Sequence, residues 1–186
     1  MTERKRGWLL ASASRRRGFT LVELLAVVAM IGILAAIGWA GYRRYLRYAH
    51  SAEATVVMQG IAAGQEAYRS EALVYLTCSS SPTDYYPHPT PDRTLWDWSQ
   101  PSHPDAACWR MLNVTYNKPV QFVYSVVAGG PGQTPQAIPD FGLVLPMQTK
   151  PWFVVHAAGD QDADGDRSSF WASSVDDEVR SKNETE

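Results

Sequence analysis

The sequence predicts an α+β fold in which a long N-terminal helix packs on a small antiparallel β-sheet. Three observations support it: an uncharged apolar run over residues 24–42, helical spacing of apolar residues to about Ala72, and alternating strand-like segments after Val114. A helix followed by consecutive strands is typical of this class. The 186 residues, 45% of them apolar, support one modest domain beside the apolar run.

The apolar run is long enough to cross a bilayer, because at about 1.5 Å per residue it forms a helix of roughly 28 Å. Glu23, just before it, is the one charged residue from Phe19 to Tyr42. An ionised carboxylate in hydrocarbon costs on the order of 3 kcal/mol, so Glu23 needs a counter-charge. Cleavage between Gly18 and Phe19 would place a positive amino terminus about one helical turn away.

The string Gly18-Phe19-Thr20-Leu21-Val22-Glu23-Leu24-Leu25, with a basic segment before it and an apolar helix after it, resembles the N-terminal signature of type IV prepilins and pseudopilins. The resemblance implies a type IV pilin-like fold and cleavage after Gly18 by a prepilin peptidase. It also implies N-methylation of Phe19, and assembly with other pilin subunits into a helical homo- or hetero-polymer by the pilus machinery. Glu23 is then the carboxylate that pairs with a neighbouring subunit's terminus.

Two other interpretations of the N-terminus remain open. A secretory signal peptide also combines a basic start with an apolar core, and Ala36 and Gly38 would suit a signal peptidase. Glu23 inside that core argues against it. An ordinary single-pass anchor explains the length but gives no role to the order of residues 18–23. The ordinary anchor would make the remainder a tethered extracytoplasmic binding domain; within the family, a secretion pseudopilin is the alternative to a major or minor pilin.

The predicted organisation has four parts: a cytoplasmic leader peptide (1–18), a transmembrane or filament-core helix (19–42), an amphipathic helix (43–76) and a globular head (77–186). The leader holds six basic residues and one acid, which favours a cytoplasmic N-terminus. We therefore expect the precursor in the inner membrane with its head outside, and later an extracellular pilus or periplasmic pseudopilus. The mature chain has 11 basic and 18 acidic residues, which argues against nucleic-acid binding.

The amphipathic helix is predicted from apolar residues spaced three or four apart, with Gln65 filling one gap. Gly60 and Gly64 are expected to weaken it. A proline-rich loop follows over residues 77–104, in which aromatic residues either pin the loop to the head or form a contact surface. Packing is favoured because aromatic residues are usually buried. These residues are Tyr85, Tyr86, Trp96 and Trp98.

Four strands are predicted at residues 120–127, 141–145, 152–158 and 168–175, because apolar residues alternate or cluster there between glycines and prolines. The polar tail over residues 180–186 is expected to fray. Cys78 and Cys108 are expected to form a disulfide in an oxidising compartment, closing a loop worth roughly 3 to 4 kcal/mol. Two free buried thiols are the alternative.

The turn before the last predicted strand places Asp160, Asp162, Asp164 and Asp166 on alternate positions around Gly165. This pattern matches the opening of an EF-hand calcium loop, where carboxylate oxygens converge and glycine permits the bend. Its twelfth position is Trp171 rather than glutamate, so the missing oxygens would come from Asp176, Asp177 or Glu178. Some pilins and pseudopilins bind Ca²⁺ in C-terminal loops; the alternative here is a solvated acidic turn.

No other cofactor is expected. The four histidines, at positions 50, 88, 103 and 156, have no ligand spacing, and no nucleophile lies in a recognisable elbow. The sequence therefore predicts a structural subunit rather than an enzyme.

Overall fold

The computed structural model describes residues 18–176 and 178–184, so the predicted leader up to Arg17 lies outside the described residues. Two helices, a short 3₁₀ helix and four strands follow in chain order. They are α1 (Leu21–Ala72), α2 (Ala106–Met111), β1 (Val123–Gly129), the 3₁₀ helix (Pro139–Phe141), β2 (Trp152–Gly159), β3 (Ser168–Ser173) and β4 (Arg180–Lys182). The predicted α+β class is confirmed.

The chain divides into two compact units at the junction of Gly41 and Tyr42. In the first unit α1 carries an almost unbroken apolar surface, and its side chains from Leu21 to Trp39 are exposed within this chain. Among residues 18–176 and 178–184, α1 is the one helix long and apolar enough to cross a membrane, judged by length and composition. A single chain does not cover this surface.

In the second unit α1 has one buried face, formed by residues three or four positions apart, as the sequence predicts: Ala54, Val57, Met58, Ile61 and Gln65. Gln65 is buried because its side chain serves the segment after the helix: Nε2 donates to the Leu76 carbonyl at 2.6 Å, and Oε1 accepts from the Leu76 N–H at 2.9 Å. The helix ends at Ala72 because Leu73 adopts φ of 63°. This end agrees with the helical spacing, which runs to about Ala72.

Gly64 allows α1 to approach the segment after α2. A Cβ built on Gly64 would lie 2.5 Å from the Leu112 carbonyl oxygen, whereas one built on Gly60 meets nothing within 4 Å. Gly64 therefore has a packing role in addition to its low helix propensity, because its missing side chain lets the two backbones pack.

The four strands form one antiparallel sheet in the order β1-β2-β3-β4. One face, including Tyr124, Phe153 and Val155, packs against the buried face of α1. The other face, including Val154 and Trp171, is covered by Ile138 and neighbouring apolar residues. Burial on both faces explains why all eight residues of β2 are buried.

Several predicted strand limits are corrected by the structure. Residues 141–145 form no strand; the 3₁₀ helix, Gly142 at φ of 57° and an isolated Ile138–Leu143 bridge replace it. Strand β1 begins at Val123 and not at residue 120, because Val120 pairs with Trp96 of the loop. Strand β3 ends at Ser173, two residues before the predicted limit. The tail predicted to fray contains β4, which pairs with β3 through Ser169–Lys182.

Both outer edges of the sheet are modified. Beside β1, the backbone N–H groups of Cys78 and Ser79 donate to the Val126 carbonyl, and Tyr86 pairs with Tyr124. At the other edge, β4 has three exposed residues, of which Arg180 and Lys182 are basic. A loop therefore occupies one edge, and a short charged strand forms the other.

The proline-rich loop is held by its aromatic side chains, as predicted: Tyr85, Tyr86 and Trp98 are buried and Trp96 is half-buried. Tyr86 stacks on Trp109 of α2 at 5.1 Å between ring centroids, and its hydroxyl donates to the Trp98 carbonyl. Helix α2 lies just after this loop and was not predicted. A disulfide between Cys78 and Cys108 joins the start of the loop to α2.

Candidate functional site

The predicted processing site lies where the chain enters α1. Residues 18–20 are exposed and non-helical, and Leu21 is the first helical residue. The Thr20 hydroxyl oxygen accepts a hydrogen bond from the Glu23 backbone N–H at 3.2 Å, and the Thr20 carbonyl accepts from Leu24 N–H at 3.1 Å. Thr20 is therefore the N-cap, and the order Thr-Leu-Val-Glu is that of a capping box.

This cap fixes the position of Glu23 in the first turn of α1. There the carboxylate faces the positive end of the helix dipole, which stabilises a negative charge by about 0.3 to 1 kcal/mol at an exposed site. Within the described residues the carboxylate has no ion pair; the bond to Thr20 uses its backbone N–H. The local structure therefore holds a carboxylate four residues after Phe19 and leaves its oxygens to another partner.

The acidic turn connects β2 and β3. Carboxylate oxygens of Asp160, Asp162 and Asp164 lie within 4.8 Å of one another, whereas Asp166 is outside this group. Asp160 accepts backbone hydrogen bonds from Ala163 at 2.7 Å and Gly165 at 3.2 Å. Ala163 and Gly165 have positive φ, 62° and 96°. The turn is thus shaped by its own carboxylates, in the manner of Asx turns.

Three clustered carboxylates fit the oxygen preference of Ca²⁺ but supply only part of the six to eight ligands it takes. Asp176, one predicted source of further oxygens, instead accepts a hydrogen bond from Arg180, with 2.7 Å between Nη2 and Oδ2. Asp177 lies outside the described residues. Asp162 has a cationic neighbour, since its Oδ2 is 3.8 Å from Arg47 Nη1. The cluster is a partial ligand set with a competing ion pair.

A buried histidine paired with an aspartate is a feature that sequence reasoning missed. His156 on β2 is fully buried; its Nδ1 lies 2.9 Å from the Pro82 carbonyl, and its Nε2 lies 3.3 Å from Asp140 Oδ2. Both ring nitrogens therefore face oxygen acceptors, although the Nε2 contact is too bent for a good hydrogen bond. The one sequence signal was a histidine inside an otherwise apolar strand.

The contact between His156 and Asp140 is accompanied by shifted pKa values in this region. The contact with His156, with a hydrogen bond from Ser169 at 2.7 Å, lowers the pKa of Asp140 to about 2. Burial raises the pKa of the neighbouring Tyr85 hydroxyl to about 12, with Asp140 adding to the effect. Because this network links the proline-rich loop, the 3₁₀ helix and two strands, we interpret it as structural.

Comparison with known proteins gives one match. Residues 13–39 match the family model described as the prokaryotic N-terminal methylation motif. No curated protein and no solved structure matches the chain. The matched residues include Gly18, Phe19, Thr20 and Glu23, whose geometry is described above. The chain therefore carries a type IV prepilin-like N-terminal signature, the mark of a class of structural subunits and of a pilin- or pseudopilin-like precursor.

Proposed function

We propose that this precursor is a type IV pilus subunit, a major or minor pilin, cleaved after Gly18 and N-methylated at Phe19. It waits in the inner membrane with its N-terminus in the cytoplasm and its head outside. The mature subunit then joins a filament whose core is formed by the N-terminal parts of many α1 helices. Prepilin peptidase and the pilus assembly machinery are its partners before assembly.

The observation that carries the proposal is the exposed apolar surface of α1 with one carboxylate at its start. Val28, Ile33 and Ile37 are each more than 60% exposed. Contiguous apolar surfaces of this kind are covered by lipid or by other chains. Glu23 in such surroundings is stable only beside a positive charge, and the Phe19 amine of another subunit supplies one.

This pairing explains how subunits find their axial register. Any slip along the filament would leave the Glu23 carboxylate and an amine apart in apolar surroundings, each with a large desolvation penalty. Thr20 supports the pairing because its cap bonds are made entirely by residues after the cleaved bond. The helix start is therefore the same in the precursor and in the mature subunit.

Substitution of Glu23 tests the proposal. Glu23→Gln keeps the shape and the helix position of the side chain but removes its charge, and Glu23→Asp keeps the charge. We expect Glu23→Gln to be stable, cleaved and methylated, with sheared filaments reduced at least about tenfold, because the loss of a buried charge pair exceeds 1.4 kcal/mol. Glu23→Asp retains more assembly. Normal filament yield from Glu23→Gln contradicts the register model.

Mass spectrometry of the mature N-terminus separates this proposal from the two alternative classes. A chain that starts with N-methylated Phe19 supports it. A terminus near residues 36–38 identifies a signal peptide, and an uncleaved chain identifies an ordinary anchor of an extracytoplasmic binding domain. A high copy number in sheared filaments favours a major pilin, whereas a short periplasmic assembly favours a secretion pseudopilin.

We also propose that the acidic turn binds Ca²⁺ through Asp160, Asp162 and Asp164. Three carboxylates this close repel one another, and a divalent cation removes that repulsion. We expect added Ca²⁺ at a hundredfold excess over Kd to stabilise the head by about 2.7 kcal/mol. Asp164→Asn should abolish this gain, and Asp166→Asn, outside the cluster, should retain most of it. A melting temperature unmoved by chelator excludes the site.

A further inference from the structure

The second unit contains a basic cleft of about 300 Å³ that no feature discussed above accounts for. Four basic side chains line it: Arg43, Arg47 and His50 from α1, and Arg93 from the proline-rich loop. The buried amide of Gln161 and the carboxylate of Asp162 also line the cleft. Three elements distant in sequence therefore direct polar groups to one place.

Two of these groups are buried hydrogen-bond donors with no acceptor among the described residues. They are Arg47 Nε and Gln161 Nε2. Gln161 is only 7% exposed. Its amide oxygen, Oε1, lies 3.3 Å from His50 Nδ1. With the imidazole proton on Nδ1 the amide oxygen accepts from His50, and the NH₂ group remains as the donor. A buried donor without an acceptor is destabilising, so a ligand with acceptor oxygens is favoured.

The charge of the cleft selects among such ligands. Even without Arg43, the guanidinium groups of Arg47 and Arg93 outnumber the one lining carboxylate, that of Asp162, which is 3.8 Å from Arg47 Nη1. The cleft is therefore positive even with His50 neutral, although the mature chain as a whole is acidic. Guanidinium groups bind planar or tetrahedral oxyanions in a bidentate manner and remain charged at all relevant pH values.

We propose that this cleft binds a phosphate group, with Arg47 and Arg93 as its cationic ligands and Gln161 as a neutral donor. Its volume of about 300 Å³ is sufficient for a phosphate ester. The same chemistry has two sources, an anionic phospholipid headgroup and free phosphate. The chain order favours the lipid, because Arg43 is the first charged residue after the uncharged run that ends at Tyr42.

The lipid assignment rests on the proposed membrane insertion of the precursor. In that state residues 43–47 follow directly after the span, where basic side chains reach phosphates at the interface. The headgroup would then be held by the precursor before assembly. Phosphate binding itself does not require insertion, so the two ideas fail separately.

The experiment uses the full chain in a neutral detergent and measures bound ligand by native mass spectrometry. Three probes are titrated: dioctanoyl phosphatidylglycerol, dioctanoyl phosphatidylcholine and inorganic phosphate. Arg93→Gln is the main variant, because Arg93 is exposed in a loop and its replacement leaves the core intact. Arg44→Gln is the matched control: it removes the same charge from α1, but Arg44 faces Tyr48 rather than the cleft.

We expect phosphatidylglycerol to bind with an affinity at least about tenfold higher than phosphatidylcholine, and Arg93→Gln or Arg47→Gln to weaken it about tenfold. Arg44→Gln should leave it within about twofold. Displacement by equimolar inorganic phosphate would identify free phosphate as the source. Equal losses for Arg44→Gln and Arg93→Gln, or no selective binding of either anionic probe, overturn the proposal. A methylated Phe19 alongside that result would leave the pilin proposal standing.

Discussion

The two parts of α1 bury their apolar residues in different ways. In the part before Tyr42, Leu24 and Ile33 are 60% and 63% exposed, whereas in the part after it Met58 and Ile61 are 0% exposed. One continuous helix therefore serves two environments. The later part is stabilised by the chain's own sheet, and the earlier part depends on lipid or on other chains for the same hydrophobic free energy.

The largest expected effect comes from matched isoleucine substitutions in the two parts. Ile61→Ala should lower the free energy of unfolding of the head by about 2 to 5 kcal/mol, because it leaves a cavity in the core. Ile33→Ala removes the same atoms from an exposed position and should change it by less than about 0.5 kcal/mol. Denaturant titration followed by tryptophan fluorescence in detergent measures both. Similar losses for the two variants would refute the division.

A second pair lies within the later part alone. Gly64→Ala should destabilise the head by about 1 to 3 kcal/mol, because the new Cβ would meet the Leu112 carbonyl oxygen at 2.5 Å. Gly60→Ala, which meets nothing within 4 Å, should stabilise it by about 0.5 to 1 kcal/mol through helix propensity. Thermal melts of both variants show whether the signs are opposite. Stabilisation by Gly64→Ala would mean that α1 does not approach Leu112 this closely.

The smallest effect concerns charges. Glu23 has its proposed partner in another subunit, whereas Asp140 is stabilised within the head by His156 and Ser169. Because the pKa of Asp140 is lowered to about 2 from its ordinary 3.8, its contribution is complete above about pH 5 and is lost as pH falls towards 2. After allowance for solvent screening, this contribution is about 1 kcal/mol.

Asp140→Asn should therefore reduce the free energy of unfolding near neutral pH and make almost no difference at about pH 2. Asp176→Asn, which removes a surface pair with Arg180, is the control and should cost less than about 1 kcal/mol. Urea titrations across this range measure both variants. A loss for Asp140→Asn that does not change with pH would show that the aspartate acts through packing instead of charge.

The features that sequence reasoning predicted depend on local periodicity or on a short motif. The buried face of α1 follows from helical spacing, and the order of residues 18–23 identified the signature that residues 13–39 match. The three clustered aspartates follow from alternate positions in one turn. In each case the residues that interact are close in the sequence, so the chain itself places them together.

The features that it missed depend on contacts between distant residues. Residues 180–182 are polar and resemble a frayed tail, but pairing with Phe170 and Trp171 turns them into β4. The segment of α2 is short, without a side-chain cap on Asp105, and is held by the stacking of Trp109 on Tyr86. Gln161 belongs to a turn in the sequence, and only the fold places it beside His50.

The edges of the sheet bear on the polymerisation that we propose for this protein. Subunits stored at high local concentration are at risk of joining strand to strand, which would yield amyloid-like aggregates rather than ordered fibres. Here the edge strand β1 is already paired at Val126 with backbone from the proline-rich loop. The opposite edge is formed by β4, which is short and basic. Growth by β-addition is thereby discouraged, which leaves the exposed apolar part of α1 as the surface for the proposed assembly.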